Sequence, residues 1–319
     1  MPDTYIPILR NDVNERKAVQ RLRQDSFSEY PTEELKMIPL VEVTDEDDLN
    51  ALRAYRDVGE AVMIELPRYL TEQENKYREP VSELIEDYEG IAEFYRSKVD
   101  SKYVPVVSGS NSPVDYSEHL SMYRDLREDF DRLAVRLILR NPSESLTDLQ
   151  SDTLEELGTE VRDEDTLLFD IGDNSITEPL LEDLEYLSEV FKTPTKAVLN
   201  AFDAYNERPN NQSPHIAEDI RASAFGDFGI NKRFKPNPDD AFAPPSVKHR
   251  HYVPNHSTVE VFKGDTYKEA AESLSEWSEW DASHCEGCHR AASTNNYDVN
   301  TWVQIKMEHY FRSILRDEI

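Results

Sequence analysis

Short apolar runs rich in β-branched residues alternate along the chain with longer stretches whose apolar residues recur at helical spacing. Runs of the first kind predict buried strands, and the stretches between them predict amphipathic helices. Eight strands are predicted, at Tyr5–Arg10, Met37–Thr44, Ala61–Leu66, Tyr103–Ser108, Leu133–Leu139, Thr166–Ile171, Ala197–Asp203 and within Arg250–Phe262. Helices are predicted at 12–24, 45–57, 71–98, 115–129, 143–159, 176–192, 213–225 and 299–316.

This alternation of strands and helices indicates a parallel sheet, because parallel strands need a crossover between them. Eight such units favour closure into a TIM-like (β/α)8 barrel, an α/β fold that reaches this length as one domain. No glycine-rich phosphate loop follows a predicted strand, which argues against a dinucleotide-binding sheet. We therefore predict a single barrel domain over residues 1–319.

The region 229–301 departs from the alternating pattern. It contains both cysteines of the chain and a group of prolines, Pro236, Pro238, Pro244 and Pro245. Long irregular segments in compact domains are usually functional or disordered. We predict a long, late insertion around the last strand of the barrel, with zinc as a means of stabilising it.

The charge of the chain is strongly acidic, with 65 acidic and 35 basic residues and a formal net charge of −30. The acidic residues are dispersed rather than gathered in a tail, a pattern typical of surfaces adapted to high salt, so we predict a halophilic, archaeal-type protein. Such a field disfavours nucleic acid, which is bound through contacts of lysine and arginine with phosphate. Binding at molar salt stays open through two basic stretches, Asn231–Lys235 and Lys248–His251.

The sequence has no feature that predicts export or membrane insertion. The N-terminal Met1-Pro2-Asp3-Thr4 has neither a basic nor an apolar signal region, and no apolar run approaches the length of a membrane span. Two closely spaced cysteines make no disulfide framework. We therefore predict a cytoplasmic protein.

Charged and polar residues stand at the ends of the predicted strands, inside otherwise apolar runs. In a barrel of this class the reactive groups lie at the carboxyl ends of the strands. The residues placed there are Arg10, Glu42, Glu65, Ser108, Arg136, Asp170 and Asp203. Crowded carboxylates beside arginine can divide acid and base roles or bind a hard divalent ion, so Glu42, Glu65, Arg136, Asp170 and Asp203 are candidate catalytic residues. A purely structural ion-pair network is the alternative.

The segment His284-Cys285-Glu286-Gly287-Cys288-His289 contains a C-x-x-C-H string. This is the attachment pattern of haem c, but attachment requires export, so haem is not expected. Two thiolates at this spacing supply half of a tetrahedral zinc site. The candidate metal ligands are Cys285, Cys288 and His289, with His284, His249, His251 and His256 as further sources of a ligand. Surface thiols without a metal, and redox use of the pair, remain alternatives.

A series of short motifs spans most of the chain and resembles the phage-type beta protein family. That family opens with Tyr-x-Pro-Ile-Leu-Lys, then Lys-x-Gly-Glu and Ala-Leu, and it ends with Trp followed by His-His. The matching residues are Tyr5-x-Pro7-Ile8-Leu9-Arg10, Glu15, Ala18-Val19, Ile38–Val43, Arg136, Asp170, Thr301-Trp302 and His309. Asp12, Asn14 and Tyr310 replace the family's second lysine, its glycine and its second histidine.

The resemblance implies a protein of phages, mobile elements or anti-phage defence, and brings no settled activity with it. It adds Arg10, Glu15 and His309 as candidate ligand-binding residues, although a histidine in a helix is more often a packing residue. Two functions are therefore predicted. One is recognition of a ligand, or of a protein partner encoded by a neighbouring gene, at the barrel mouth. The other is a hydrolase, of the nuclease or phosphodiesterase type or metal-dependent, that uses the carboxylates.

Overall fold

The structure is a computed structural model, and it describes fourteen segments of the chain. The segments are 2–10, 12–22, 36–44, 48–56, 61–67, 88–109, 116–139, 148–172, 177–192, 195–200, 213–230, 247–253, 258–293 and 298–316.

A closed parallel barrel forms the centre of the molecule. Its strands are β1 (Thr4–Leu9), β2 (Lys36–Met37), β3 (Leu40–Glu42), β4 (Met63–Glu65), β5 (Val104–Ser108), β6 (Ala134–Ile138), β7 (Thr166–Gly172), β8 (Thr195–Asn200) and β9 (Ala224–Asp227). Both β2 and β3 pair with β1 and together act as one interrupted strand, so the nine strands form an eight-stranded barrel. Pairing of β1 with β9 closes it. The predicted TIM-like barrel is therefore confirmed.

Helices follow the strands around the outside of this barrel. They are α1 (Val13–Leu22), α2 (Asp48–Ala51) with a 3-10 turn at Leu52–Ala54, α3 (Tyr88–Lys98), α4 (Ser117–Arg127), α5 (Asp148–Glu160), α6 (Glu178–Val190) and α7 (Ser213–Asp219). The start of α6 shows how the sequence sets a boundary. The Thr177 side chain accepts the Leu180 amide hydrogen bond, and proline follows in the first turn, where its missing N–H costs nothing.

Alternate residues of each strand belong to two separate apolar layers. Ile6, Ile8 and Leu168 lie in the cluster that fills the barrel lumen, whereas Tyr5 and Phe169 lie in the layer between strands and helices. This two-residue period follows from the pleat of a strand. A polar side chain two residues beyond a lumen residue must therefore also face the lumen.

The eighth strand of the barrel is not where the sequence predicted it. Residues Arg250–Phe262 do form strands, but these are β10 (Val247–Val253) and β11 (Thr258–Gly264), which pair antiparallel outside the barrel. The barrel is completed instead by the four-residue β9, which the predicted helix 213–225 partly covered. The prediction was wrong because β9 is short and contains only one large apolar residue, Phe225.

The predicted late insertion follows the last barrel strand rather than surrounding it. After β9 come the β10–β11 hairpin, α8 (Tyr267–Ser275), α9 (Glu286–Ser293) and the long α10 (Val299–Leu315). Helix α10 packs against α1, α9 and β10, which returns the end of the chain to its beginning. None of the helices within the described segments is long and apolar enough to cross a membrane.

The seam between β1 and β9 depends on a close backbone approach. A Cβ atom at Gly226 would lie 2.1 Å from the carbonyl oxygen of Ile6, so only glycine fits at this position. Asp227, the last residue of β9, accepts a hydrogen bond from the Tyr5 hydroxyl at 2.7 Å. The Tyr310 hydroxyl of α10 donates to the other oxygen of the same carboxylate. One aspartate thus joins the first strand, the last strand and the last helix.

Candidate functional site

Arg136 lies at the centre of a buried ion cluster near the carboxyl ends of the strands. Its Nε and Nη2 atoms donate to Asp170 Oδ2 at 3.1 and 2.8 Å, and its Nη1 donates to Glu65 Oε2. Glu42 Oε1 lies 3.6 Å from the same Nη1. All four side chains are completely buried. The sequence-predicted residues Glu42, Glu65, Arg136 and Asp170 are thus brought together in the lumen.

The strand register explains why these four side chains meet. Each follows a lumen residue by two positions, as Glu42 follows Leu40 and Arg136 follows Ala134. Glu42 and Glu65 are direct partners in neighbouring strands. The fourth predicted carboxylate, Asp203, lies outside the described residues.

The three carboxylates have different surroundings. Asp170 accepts the two Arg136 bonds on Oδ2 and the amide N–H of Gly172 on Oδ1 at 2.8 Å, so its ionised form is well satisfied. Burial raises the pKa of Glu65 to about 7, and the nearby Glu42 adds to this, against the opposing effect of Arg136 and a hydrogen bond from Ser108. The raised pKa favours the protonated form of Glu65, beside Asp170, which accepts two hydrogen bonds from the same arginine.

The ring of Phe228 lies close to two arginines of the lumen. The guanidinium carbons of Arg10 and Arg136 each lie 5.8 Å from the centroid of the Phe228 ring. Glu15, predicted as a ligand-binding residue, accepts the backbone N–H of Arg10 at 2.8 Å, which fixes the chain as it leaves β1. Arg10 itself is half-buried, so it forms the accessible edge of this cluster.

A second polar cluster, which we call the His2Cys2 group, consists of His284, Cys285, Cys288 and His309. Their ligand atoms all lie within 4.8 Å of one another. His309 Nδ1 lies 3.3 Å from Cys288 Sγ and 3.7 Å from Cys285 Sγ. The edges of a tetrahedral zinc site with these donors measure roughly 3.3 to 3.8 Å. A search of the histidine, cysteine, aspartate and glutamate side chains of the described residues finds this one cluster that could hold a metal ion.

Local structure prepares these donors for a metal. The Cys288 amide donates to Cys285 Sγ at 3.4 Å. The hydrogen bond between the two thiols lowers the pKa of Cys285 well below its usual value and raises that of Cys288 well above it, so a thiolate is favoured at Cys285. His309 Nε2 lies 2.9 Å from the carbonyl oxygen of Tyr252, which can only accept a hydrogen bond. The ring proton therefore belongs on Nε2, and the lone pair of Nδ1 points at the sulfurs.

Close helix packing brings the two parts of the group together. A Cβ atom at Gly287 would lie 3.0 Å from the carbonyl oxygen of Ile305, so the glycine lets α9 approach α10 closely. The ring of His251 stacks on that of His309 with centroids 4.1 Å apart. Burial lowers the pKa of His249 to about 3, which keeps this neighbouring ring neutral.

The structure corrects part of the predicted ligand set. Cys285 and Cys288 belong to the group as expected, but His289 is exposed and lies outside it. His284 and His309 take the remaining places, and His249 and His251 pack around the group without joining it. His256 lies outside the described residues. The C-x-x-C spacing identifies only the two cysteines as ligands. It cannot identify His309, because that residue lies on a separate helix, α10.

Comparison with known proteins finds no family and only distant structural likenesses. No family model and no curated protein matches this chain. The catalytic domain of endoglucanase Cel5A from Thermobifida fusca is 11% identical, with a TM-score of 0.42 over 72% of this chain and 78% of that one. Active domain 2 of a chitinase from Pyrococcus furiosus is 12% identical, with a TM-score of 0.40 over 71% and 84% of the two chains. Neither likeness says what this barrel binds.

Proposed function

We propose that the protein is a hydrolase whose acid–base site is the lumen cluster around Arg136. The observation that carries the proposal is the sharing of one guanidinium by three buried carboxylates, one of which, Glu65, has a pKa raised to about 7. A proton donor near neutral pH beside an ionised carboxylate is the pairing that separates acid and base roles. The position at the carboxyl ends of the strands agrees with where such barrels act.

In the proposed reaction, protonated Glu65 donates its proton to the leaving group as the scissile bond breaks. Glu42 accepts a proton from the attacking water, whose oxygen forms the new bond. Arg136 keeps Asp170 ionised and holds Glu65 in position. Proton return from Glu42 to Glu65 through water completes the cycle, so neither an oxidant nor a reductant is needed.

The test is a panel of chromogenic esters, glycosides and phosphodiesters, assayed with purified protein. We expect turnover of one class, a loss of about a hundredfold or more in kcat in Glu65→Gln, and an unchanged circular dichroism spectrum. Glu185→Gln, on the exposed face of α6, is the matched control and should retain full turnover. Full activity in Glu65→Gln, or no turnover across the panel, would contradict the proposal.

Recognition without catalysis is the second candidate, in a protein of a phage, mobile-element or defence system that acts with a partner. The half-buried Arg10, stacked over Phe228 at the edge of the lumen, favours it because a ligand can contact this residue without entering the ion cluster. Pull-down with products of neighbouring genes tests it. Arg10→Ala should lose the bound partner, whereas Glu65→Gln should keep it.

We also propose that the metal of the His2Cys2 group is zinc, because two thiolates with two imidazoles form a typical tetrahedral zinc set. Protein purified without chelator should carry about one equivalent of zinc, as measured by inductively coupled plasma mass spectrometry. Cys288→Ser should lose it, whereas His289→Ala, outside the group, should keep it. Metal-free protein from such a preparation would rule the site out.

A further inference from the structure

The His2Cys2 group stands at a junction of three elements that all come after the barrel. Cys285 immediately precedes α9, Cys288 lies in its first turn, and His309 lies in the middle of α10. Through His309 Nε2 the group also contacts the Tyr252 carbonyl of β10. A metal held here would therefore fix the position of α10 relative to the hairpin and α9.

Resting on the proposed zinc binding, we propose that metal binding at this group controls closure of the barrel at the β1–β9 seam. The link is one peptide bond long, because the ligand His309 is followed by Tyr310. Tyr310 donates to Asp227, which also accepts the Tyr5 hydroxyl. The same helical turn thus carries a metal ligand and a hydrogen bond to the seam.

The seam combines a short strand pairing with side-chain contacts from α10. Strand β9 is four residues long and pairs with β1 only from Thr4 to Pro7. The Tyr5 ring packs on Phe225 and on Phe311 of α10, with centroids 5.4 and 6.3 Å apart. Much of the outer cover of this seam therefore belongs to α10. A helix that shifts when its metal is lost removes both the aromatic cover and the bond to Asp227.

The chemistry of the donors indicates a structural rather than a catalytic metal. With a metal bound, these four side chains would fill all the positions of a tetrahedral shell and leave none for water or substrate. The metal would supply a fixed link between α9 and α10. Its effect is expected on the exchange of backbone amides at the seam. Phe228, which follows Asp227, faces Arg136 in the lumen, so a loosened seam would also disturb the proposed active site.

Hydrogen–deuterium exchange of the full chain, with zinc and after removal of zinc by chelator and dialysis, tests the inference. We expect amides of Thr4–Leu9, Ala224–Asp227 and α10 to exchange at least about tenfold faster without metal. Amides of α4 and α5, which follow β5 and β6 on the side of the barrel opposite to the seam, serve as the internal control and should exchange at an unchanged rate. Restoring zinc should restore protection.

Two variants separate the metal from the seam. Tyr310→Phe should keep one equivalent of zinc and lose protection only at the seam. Cys288→Ser should lose both the zinc and the protection at the seam. If this variant fails to fold, titration of the unsubstituted protein with chelator takes its place. Equal seam protection with and without bound zinc, or faster exchange spread over α4 and α5 as well, would overturn the coupling. Absence of zinc from every sample would overturn the metal proposal itself, and the two failures are told apart by the metal content.

Discussion

The lumen cluster around Arg136 and the His2Cys2 group differ in whether they contain their own cation. In the lumen, three carboxylates surround Arg136, and opposite charges meet within the cluster. The His2Cys2 group consists only of potential metal ligands, whose ligand atoms lie close together and include no cationic side chain such as arginine. A cluster of the first kind can be stable by itself, whereas thiolates and imidazoles that converge are stabilised by a metal ion. Loss of one residue should therefore destabilise the lumen cluster, whereas loss of the metal should destabilise the His2Cys2 group.

The largest effect is expected from Arg136→Met. The substitution keeps the volume of the side chain roughly but leaves three buried carboxylates without their cation, which costs about 3 to 5 kcal/mol of unfolding free energy. Chemical denaturation monitored by circular dichroism measures this. Arg124→Met is the matched control, because Arg124 also pairs with two carboxylates, Glu156 and Glu160, but on the surface. Surface pairs contribute little, so the control should behave like the unsubstituted protein, and equal losses in both would refute the distinction.

A smaller effect is expected from the pH dependence of Glu65. Its pKa is raised from 4.5 to about 7 in the folded protein. The stability linked to this proton is complete below about pH 4.5 and is lost as the pH rises through about 7. Relative to Glu65→Gln, which cannot ionise, the unsubstituted protein should lose about 3 kcal/mol between these pH values. Denaturation midpoints of both proteins from pH 4 to 8 would test this, and parallel curves would contradict it.

The smallest effect per side chain is expected from salt. The net charge of −30 repels itself at low ionic strength, and salt screens that repulsion. We expect a higher Tm in molar KCl than at roughly a tenth of that concentration, measured by scanning calorimetry. The buried clusters should not contribute, so Arg136→Met and the unsubstituted protein should show the same shift. A Tm that stays constant or falls would remove the argument for salt adaptation.

The lumen cluster could be predicted from the sequence because each of its members is a charge inside an apolar run. Glu42, Arg136 and Asp170 interrupt predicted strands, and the rule that strand ends meet at one mouth was enough to group them. The proton on Glu65 could not be predicted, since it depends on burial and on the distance to Glu42. The catalytic roles of the residues in the lumen cluster stay a prediction.

The seam and the metal ligands were harder to predict. Asp227 was missed because β9 is too short for a two-residue period to be recognised, although an aspartate at the end of Ala224-Phe225-Gly226 is a usable signal. His309 was proposed from the resemblance as a ligand-binding residue, but its place beside two cysteines 21 and 24 residues away depends on how α9 packs on α10. Tertiary contacts of this kind leave no periodic pattern in a sequence.

The hydrogen bond from Tyr5 to Asp227 spans 222 residues, which has a consequence for synthesis on the ribosome. At typical rates of translation, Tyr5 emerges roughly 11 to 45 s before its acceptor is made. Contacts this distant also slow folding, because the loop must close before they form. Throughout that interval the apolar Thr4–Leu9 segment has one unpaired edge, which is a template for aggregation. A transient cover over this edge of β1 would lower that risk until β9 has been made.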